Sequence, residues 1–296
     1  MADAHRGPRY QLAMAAAKAT QAALTAAHRN GGQLPGVIAE KIDPQILADV
    51  PRPKTVVCVS GTNGKTTTNN LLNDLLADNE YEVVNNRAGG NVANGIQSTL
   101  IRNATMSGGT KKDMAVMELD ELSFRKVLPY LTPDVILVTN LYRDSFSRNA
   151  NPDFIFNVMS HYVSPKTKLV LNADDLISCR LAPQDANRVY YSIGRLADDT
   201  AEPQGIVCDL TACPVCGGKL EYDYCHLRHL GHATCKSCGF TNPEPDYELT
   251  ALDREAHTFT VCERSHEGAP THTYRYGNYS ITNLYNLFST VVVARE

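Results

Sequence analysis

The sequence predicts an α/β domain on a mostly parallel sheet, interrupted late by a four-cysteine ribbon. Three observations carry this. Short apolar runs rich in β-branched residues alternate with helical stretches between residues 55 and 193, the pattern of βαβ units with helices on both faces. The first of those runs passes through a glycine-rich turn, Ser60-Gly61-Thr62-Asn63-Gly64-Lys65-Thr66-Thr67, directly into a helix. Two Cys-x-x-Cys pairs follow in the second half, with 18 residues between them.

Taken in order, residues 8–29 read as one Ala-rich helix whose small side chains suit close packing, stopped by Asn30-Gly31-Gly32. Pro35, Pro44, Pro51 and Pro53 mark the next stretch as an ordered linker. Strands are predicted at 55–60, 81–85, 113–119, 134–140, 168–172 and 188–193, and helices at 65–79, 94–103 and 153–163. From about 206 to 241, Cys, Gly, Tyr and His replace that pattern. Segments 247–252, 258–262 and 272–276 read as antiparallel strands, and a helix starts near 281. The predicted organisation is an N-terminal helix and linker (1–50), a first part of the nucleotide domain (51–205), the cysteine insertion (206–242) and a second part (243–296). The apolar run 288–294 reaches the last residues with no cap or polar tail, which predicts a chain shortened before a further domain.

Composition excludes several classes. Hydrophobic residues make up 43% and charged residues 20% of the 296, an ordinary globular balance with enough chain to bury a core without disulfides. A net charge of −4 is a poor footprint for a dedicated nucleic-acid binder. There is no apolar run of membrane-spanning length. The Ala-rich start is broken by Lys18, Thr20, Gln21 and Thr25 and so is no signal peptide, which leaves a cytoplasmic protein as the expectation. Nine cysteines fit a reducing compartment only if some bind metal.

The turn at 60–67 has the chemistry of a phosphate loop. Backbone N–H groups and a helix N-terminus form an anion site, Lys65 reaches the β/γ-phosphates and the Thr66 hydroxyl ligates Mg²⁺. Val59 stands where the strict P-loop pattern has glycine, so this is a variant loop. Glu118 follows a strand at the end where α/β sheets place ligands, with Asp120 and Glu121 just behind it. Cys213, Cys216, Cys235 and Cys238 have zinc-ribbon spacing, and four protein thiolates leave no open position, so the zinc is expected to be structural. In a small insertion such a site contributes on the order of 10–16 kcal/mol. Cys208, Cys225, His226, His229 and His232 lie nearby as spare ligands, while Cys58, Cys179 and Cys262 read as small buried hydrophobes.

Gly61-Thr62-Asn63-Gly64-Lys65-Thr66-Thr67 resembles the ATP loop of the Mur ligases and folylpolyglutamate synthases, which form amide bonds by phosphorylating a carboxylate. The resemblance implies that Gly61, Thr62, Asn63, Gly64, Lys65, Thr66 and Thr67 bind ATP, that Thr66 and Glu118 hold Mg²⁺, and that Lys65 and Glu118 are catalytic. It implies that Asn140 and Asp144 line the nucleotide–metal site. Leu171-Asn172-Ala173-Asp174-Asp175 matches a family turn, residues 85–91 resemble an acceptor-side loop, and residues 277–286 resemble the element opening the last helix of the central domain, with Asn283 as counterpart of its Asn.

Ser145 stands where amino-acid-adding Mur ligases carry a metal-binding His. The local pattern is closer to Asn-x-x-Arg-Asp-x-x-Asp-Arg, matched by Asn140, Arg143, Asp144 and Arg148 but with Ser147 for the second Asp. With the cysteine ribbon, this resembles the MurT family of synthetase subunits of lipid II isoglutaminyl synthases. Membership implies ATP-dependent amidation of the D-glutamate α-carboxylate in the lipid II stem peptide to D-isoglutamine, through an acyl phosphate. It implies a GatD-like glutaminase partner that supplies ammonia, work near the inner membrane surface, and a C-terminal Mur ligase domain beyond these 296 residues, leaving the fragment little activity. Two other readings stay open: an amino-acid-adding ligase of the Mur or folylpolyglutamate type, and a P-loop ATPase whose ribbon binds nucleic acid.

Overall fold

The computed structural model describes residues 6–29, 32–87, 90–141, 152–182, 186–203, 210, 212–277 and 280–296. The chain opens with α1 (Pro8–Ala26), α2 (Leu34–Ile42) and the short α3 (Ile46–Asp49). The predicted linker is therefore partly helical. Pro35 sits in the first turn of α2, where its missing N–H costs nothing. Next come β1 (Thr55–Ser60), α4 (Lys65–Asp78), β2 (Val83–Asn85), α5 (Ala93–Asn103) and β3 (Met114–Glu118). A 3₁₀ turn (Glu121–Ser123) leads into α6 (Phe124–Val127), followed by β4 (Val135–Val138), α7 (Pro152–Tyr162), β5 (Lys168–Asn172) and β6 (Arg188–Ile193). The hairpin β7 (Leu220–Leu227) and β8 (Leu230–Cys235) is a separate two-stranded sheet. The chain then returns through β9 (Tyr247–Asp253), β10 (Thr258–Glu263), β11 (Thr271–Arg275) and α8 (Ile281–Arg295).

Nine strands form one sheet in the order β11-β10-β9-β6-β5-β4-β1-β3-β2. From β2 to β9 every neighbouring pair is parallel, whereas β9, β10 and β11 pair antiparallel, as their alternation predicts. The cysteine hairpin thus lies between two strands, β6 and β9, that are neighbours in the sheet.

Both faces of the parallel part are covered, which is why its strands are apolar throughout rather than alternating. Cys58, Met117, Ile136 and Leu169 point to a core shared with Tyr10, Ala13, Met14 and Ala17 of α1 and Ile96 and Leu100 of α5. Val57, Val59, Val116, Leu137 and Val170 point the other way, onto Leu72 of α4 and Leu284, Phe288 and Val292 of α8. The small face of α1 does pack closely: Ala13 and Ala17 are wholly buried. Cys58, Cys179 and Cys262 are buried too, and burial pushes the Cys58 thiol up to about 12. Among the described residues no helix is long and apolar enough to cross a membrane.

Candidate active site

The connection from β1 runs past β3 to β2, whereas that from its other neighbour β4 runs the opposite way to β5, so the crevice beyond the C-terminal ends of β1 and β4 is a topological switch point. The loop 61–64 fills that crevice. Gly61 (φ +119°) and Gly64 (φ +85°) both occupy backbone conformations that side chains disfavour. They also lack room for one: a Cβ on Gly61 would meet Asn140 O at 2.8 Å, and one on Gly64 would collide with Asn286 Oδ1. Gly64 is the N-cap of α4 and no side chain caps that helix, so its first N–H groups face the loop unfilled by protein. That arrangement fits a phosphate.

Residues after β4 hold the loop in shape. Thr62 N–H donates to Asn140 O (2.8 Å), Asn63 N–H donates to Asn140 Oδ1 (3.0 Å), and Asn140 Nδ2 donates back to Asn63 O (3.0 Å). Thr139 Oγ1 also donates to Asn63 O, at 2.7 Å. Asn140 is nearly buried, so its contact with the loop is structural as well as local to the predicted nucleotide.

Glu118, at the end of β3, accepts from Thr66 Oγ1 (2.8 Å) and from Asn91 Nδ2 (2.8 Å). The two residues read as Mg²⁺ ligands are therefore adjacent. Asn86 brackets the Glu118 backbone, accepting from its N–H at 2.9 Å and donating to its C=O at 2.8 Å. Lys65 Nζ pairs with Glu121 Oε1 at 3.1 Å and donates to Gly61 O and Thr62 O. Burial raises the Glu121 pKa and Lys65 opposes that shift. Glu121 is the charged partner that sequence reasoning did not assign, although its place three residues after Glu118 was visible.

The Leu171–Asp175 turn is a buried junction. Asp174 Oδ2 accepts from Tyr285 OH of α8 (2.7 Å) and Ile193 N–H of β6 (2.8 Å). Asp175 accepts from Leu141 N–H (2.7 Å), Ile177 N–H (3.0 Å) and His229 Nε2 (3.2 Å). His229 and His226 have fully buried side chains, the latter paired with Asp199 at 2.8 Å, so neither of these spare histidines joins the cysteines. His232 pairs with Asp223 (2.6 Å), and the Cys225 thiol donates to the carbonyls of Arg228 and Leu230.

The four knuckle cysteines do converge. Their sulfurs all lie within 4.8 Å of one another, with Cys213–Cys238 at 3.7 Å and Cys216–Cys235 at 3.5 Å. A tetrahedral ion at a Zn–S bond of about 2.3 Å would set the sulfurs about 3.8 Å apart. Hydrogen bonds from the Cys238 and Ser237 N–H groups lower Cys235 to about 6, giving the thiolate that metals take. Cys238 is raised to about 12: the Phe240 N–H lowers it, but the neighbouring thiols and burial outweigh that. The cluster can hold one metal ion.

The last helix brings a second asparagine to the loop besides the one the sequence singled out. The helix residue pressed against the loop is Asn286, which accepts from Thr68 Oγ1 at 3.3 Å, whereas Asn283 sits one turn earlier with its N–H on the Ser280 cap. The spacing of three between these asparagines carried that signal, since it puts both on one helix face. Arg143, Asp144, Ser145, Ser147, Arg148 and Cys208 lie outside the described residues.

Comparison with known proteins agrees with this geometry. The Mur ligase middle domain pattern matches residues 59–215. The lipid II isoglutaminyl synthase (glutamine-hydrolyzing) subunit MurT of Staphylococcus aureus strain COL is 37% identical over 239 residues, covering 80% of this chain and 53% of that protein. The subunit of the same name from Streptococcus pneumoniae is 29% identical over 267 residues, covering 90% of this chain and 58% of its own. Among solved structures, a pseudomurein peptide ligase type C from Methanothermus fervidus superposes with a TM-score of 0.64 at 27% identity, over 85% of this chain and 48% of that one. The chain spans about half the length of the curated relatives it matches. With a glycine-rich loop between β1 and α4, a carboxylate at the end of β3 and a matching middle-domain pattern on one sheet, the chain belongs to the Mur ligase family.

Proposed function

We propose that the chain is the nucleotide-binding part of the synthetase subunit of a lipid II isoglutaminyl synthase. The observation that carries this is the four-cysteine hairpin between β6 and β9, in a Mur-type domain whose relatives at 37% and 29% identity are MurT subunits. In this reading ATP binds on Gly61, Thr62, Asn63, Gly64, Lys65, Thr66 and Thr67, with Asn140, Asp144 and Asn283 around it. Thr66 and Glu118 hold Mg²⁺, and Cys213, Cys216, Cys235 and Cys238 hold one structural zinc.

ATP with Mg²⁺ would supply its γ-phosphoryl group to the α-carboxylate of D-glutamate in the stem peptide, forming an acyl phosphate and releasing ADP. Ammonia then attacks the acyl carbon and phosphate leaves, giving D-isoglutamine. The chain's own residues position and stabilise. Lys65 moves from Glu121 to the transferring phosphoryl group, and uncapped N–H groups of α4 share its negative charge. Glu118, held from both sides by Asn86, keeps the Thr66 side of the site negative for a divalent cation. Amidation needs no nucleophilic cysteine in this chain: the ammonia is supplied by a GatD-like glutaminase partner, as the glutamine-hydrolyzing name of the MurT relatives supports, and the reaction is cytoplasmic. The organisation as N-terminal helices (1–50), a nucleotide domain in two parts (51–205 and 243–296) and a metal insertion (206–242) belongs to the same proposal.

The test is ATP turnover by the full-length protein with a lipid II-type acceptor, comparing ammonium with a panel of amino acids. Turnover that requires acceptor and ammonium and disappears in Lys65→Ala is the expected result. Turnover that requires an amino acid would place the protein among the chain-extending ligases and overturn the amidation reading.

A further inference from the structure

We infer that the tip of the cysteine hairpin is a wall of the nucleotide site, with Arg228 contacting the nucleoside end of bound ATP. This rests on the proposed reading of residues 61–67 as the ATP loop. A cavity of about 180 Å³ is shared between that loop and the hairpin: Asn63 and Asn140 line it together with Leu227, Arg228 and Leu230, and with Tyr285 of α8. It is smaller than the pockets of 300–1,000 Å³ that usually enclose a whole small molecule, so it suits one ring system of a ligand whose phosphates lie in the loop.

The tip is fixed rather than merely nearby. His229 is wholly buried on Asp175, and Gly231 N–H donates to Asp174 O at 3.0 Å, which seats the turn on the same junction that orders the end of β4. Asn242 Nδ2 ties Gly231 O (2.9 Å) to Ala173 O (2.6 Å). Gly231 has no space for a side chain, since a Cβ would sit 2.7 Å from Cys225 Cα. Between these anchors Arg228 takes φ +53°, the left-handed conformation that a two-residue hairpin turn places at its first position. The Cys225 thiol, donating to Arg228 O at 2.8 Å, helps hold it there.

The chemistry is that of a nucleoside. A guanidinium is a flat, weakly hydrated cation that stacks on aromatic rings and offers several N–H donors to hydroxyl or ring acceptors. Asn63 and Asn140 add amide groups to the same cavity. β8 runs from this turn to Cys235, six residues or about 17 Å of strand, so metal at the knuckles would clamp the far end of the hairpin whose turn carries Arg228.

The experiment is competition of ATP, ADP and GTP against a fluorescent ATP analogue on the full-length protein, for wild type, Arg228→Ala, Arg228→Gln and Lys65→Ala. Expected is about tenfold weaker binding of both ATP and ADP in each Arg228 variant, about 1.4 kcal/mol, with unchanged melting temperature and metal content. A fall for ATP alone would put Arg228 on the γ-phosphate and overturn the nucleoside assignment. Arg228 variants that bind within twofold of wild type, while Lys65→Ala loses binding, would overturn the role of the tip and leave the ATP loop standing. Wild-type protein that binds no nucleotide would overturn the loop reading itself. If Arg228→Ala melts early, tenfold weaker ATP and ADP binding in Arg228→Gln with recovery in Arg228→Lys supports the assignment, and wild-type affinity in a stably folded Arg228→Gln overturns it.

Discussion

Replacing Asp175 by Asn tests the junction that joins the phosphate-loop side of the sheet to the cysteine hairpin. The carboxylate is wholly buried and accepts from two backbone N–H groups and from His229, at 2.7, 3.0 and 3.2 Å. Asparagine keeps the shape but has one acceptor oxygen, and its NH₂ would face a donor. At least one buried donor is then unsatisfied, costing about 1–3 kcal/mol. Loss of the carboxylate–imidazole pair adds to that, and breaking one side of a buried pair costs about 3–5 kcal/mol when both partners are charged. The expected loss is about 3 kcal/mol, read by urea unfolding followed by far-UV circular dichroism at pH 7.

The pH dependence gives a second check. Burial raises the Asp175 pKa, but the hydrogen bond and charge of His229, with the Leu141 N–H, outweigh it and hold the group below its ordinary value. The unfolded chain therefore takes up this proton first as pH falls, so the group's contribution is complete above the unfolded value of about 3.9 and is lost as pH drops through the folded one. The gap between wild type and Asp175→Asn should be constant above about pH 5 and narrow below about pH 4. A gap under 1 kcal/mol at pH 7, or one that widens on acidification, would refute the reasoning.

Three further outcomes follow from the same contacts. Gly64→Ala should cost about 2 kcal/mol in urea unfolding, from its φ of +85° and its collision with Asn286. Glu118→Gln should lower ATP turnover by about 10²-fold or more, with nucleotide binding in the absence of Mg²⁺ little changed; an equal loss without Mg²⁺ would move Glu118 from metal holding to folding. Cys235→Ser should drop zinc, measured by atomic emission, from about one equivalent to under half, and wild-type protein already that low would count against a structural zinc.

The convergence of much of the candidate site was legible because its residues are close in sequence to strand ends. Gly61, Gly64, Lys65 and Thr66 follow β1, Glu118 ends β3, and Asn140 follows β4, so a parallel sheet alone brings them to one edge. The cysteine cluster was legible for another reason: two knuckles carry their own turn chemistry and need only a hairpin between them to meet. Helical pieces at 34–49 were hidden by prolines, which mark both loop and helix start.

Tertiary structure decided the pairings. Lys65 with Glu121, Asn286 with Gly64 and Thr68, and Tyr285 with Asp174 each join segments 56 to 222 residues apart. No local pattern reports such a partner, because both residues are polar and each would serve equally well in a solvated turn. Burial is what makes the partner obligatory: once the sheet and α8 exclude water, every carboxylate and amide left inside must find a donor or acceptor from whatever element packs there. Local propensity and period determined the elements and the order of chemistry along the chain. Only packing determined that the tip of the cysteine hairpin shares a cavity with Asn63 of the glycine-rich loop.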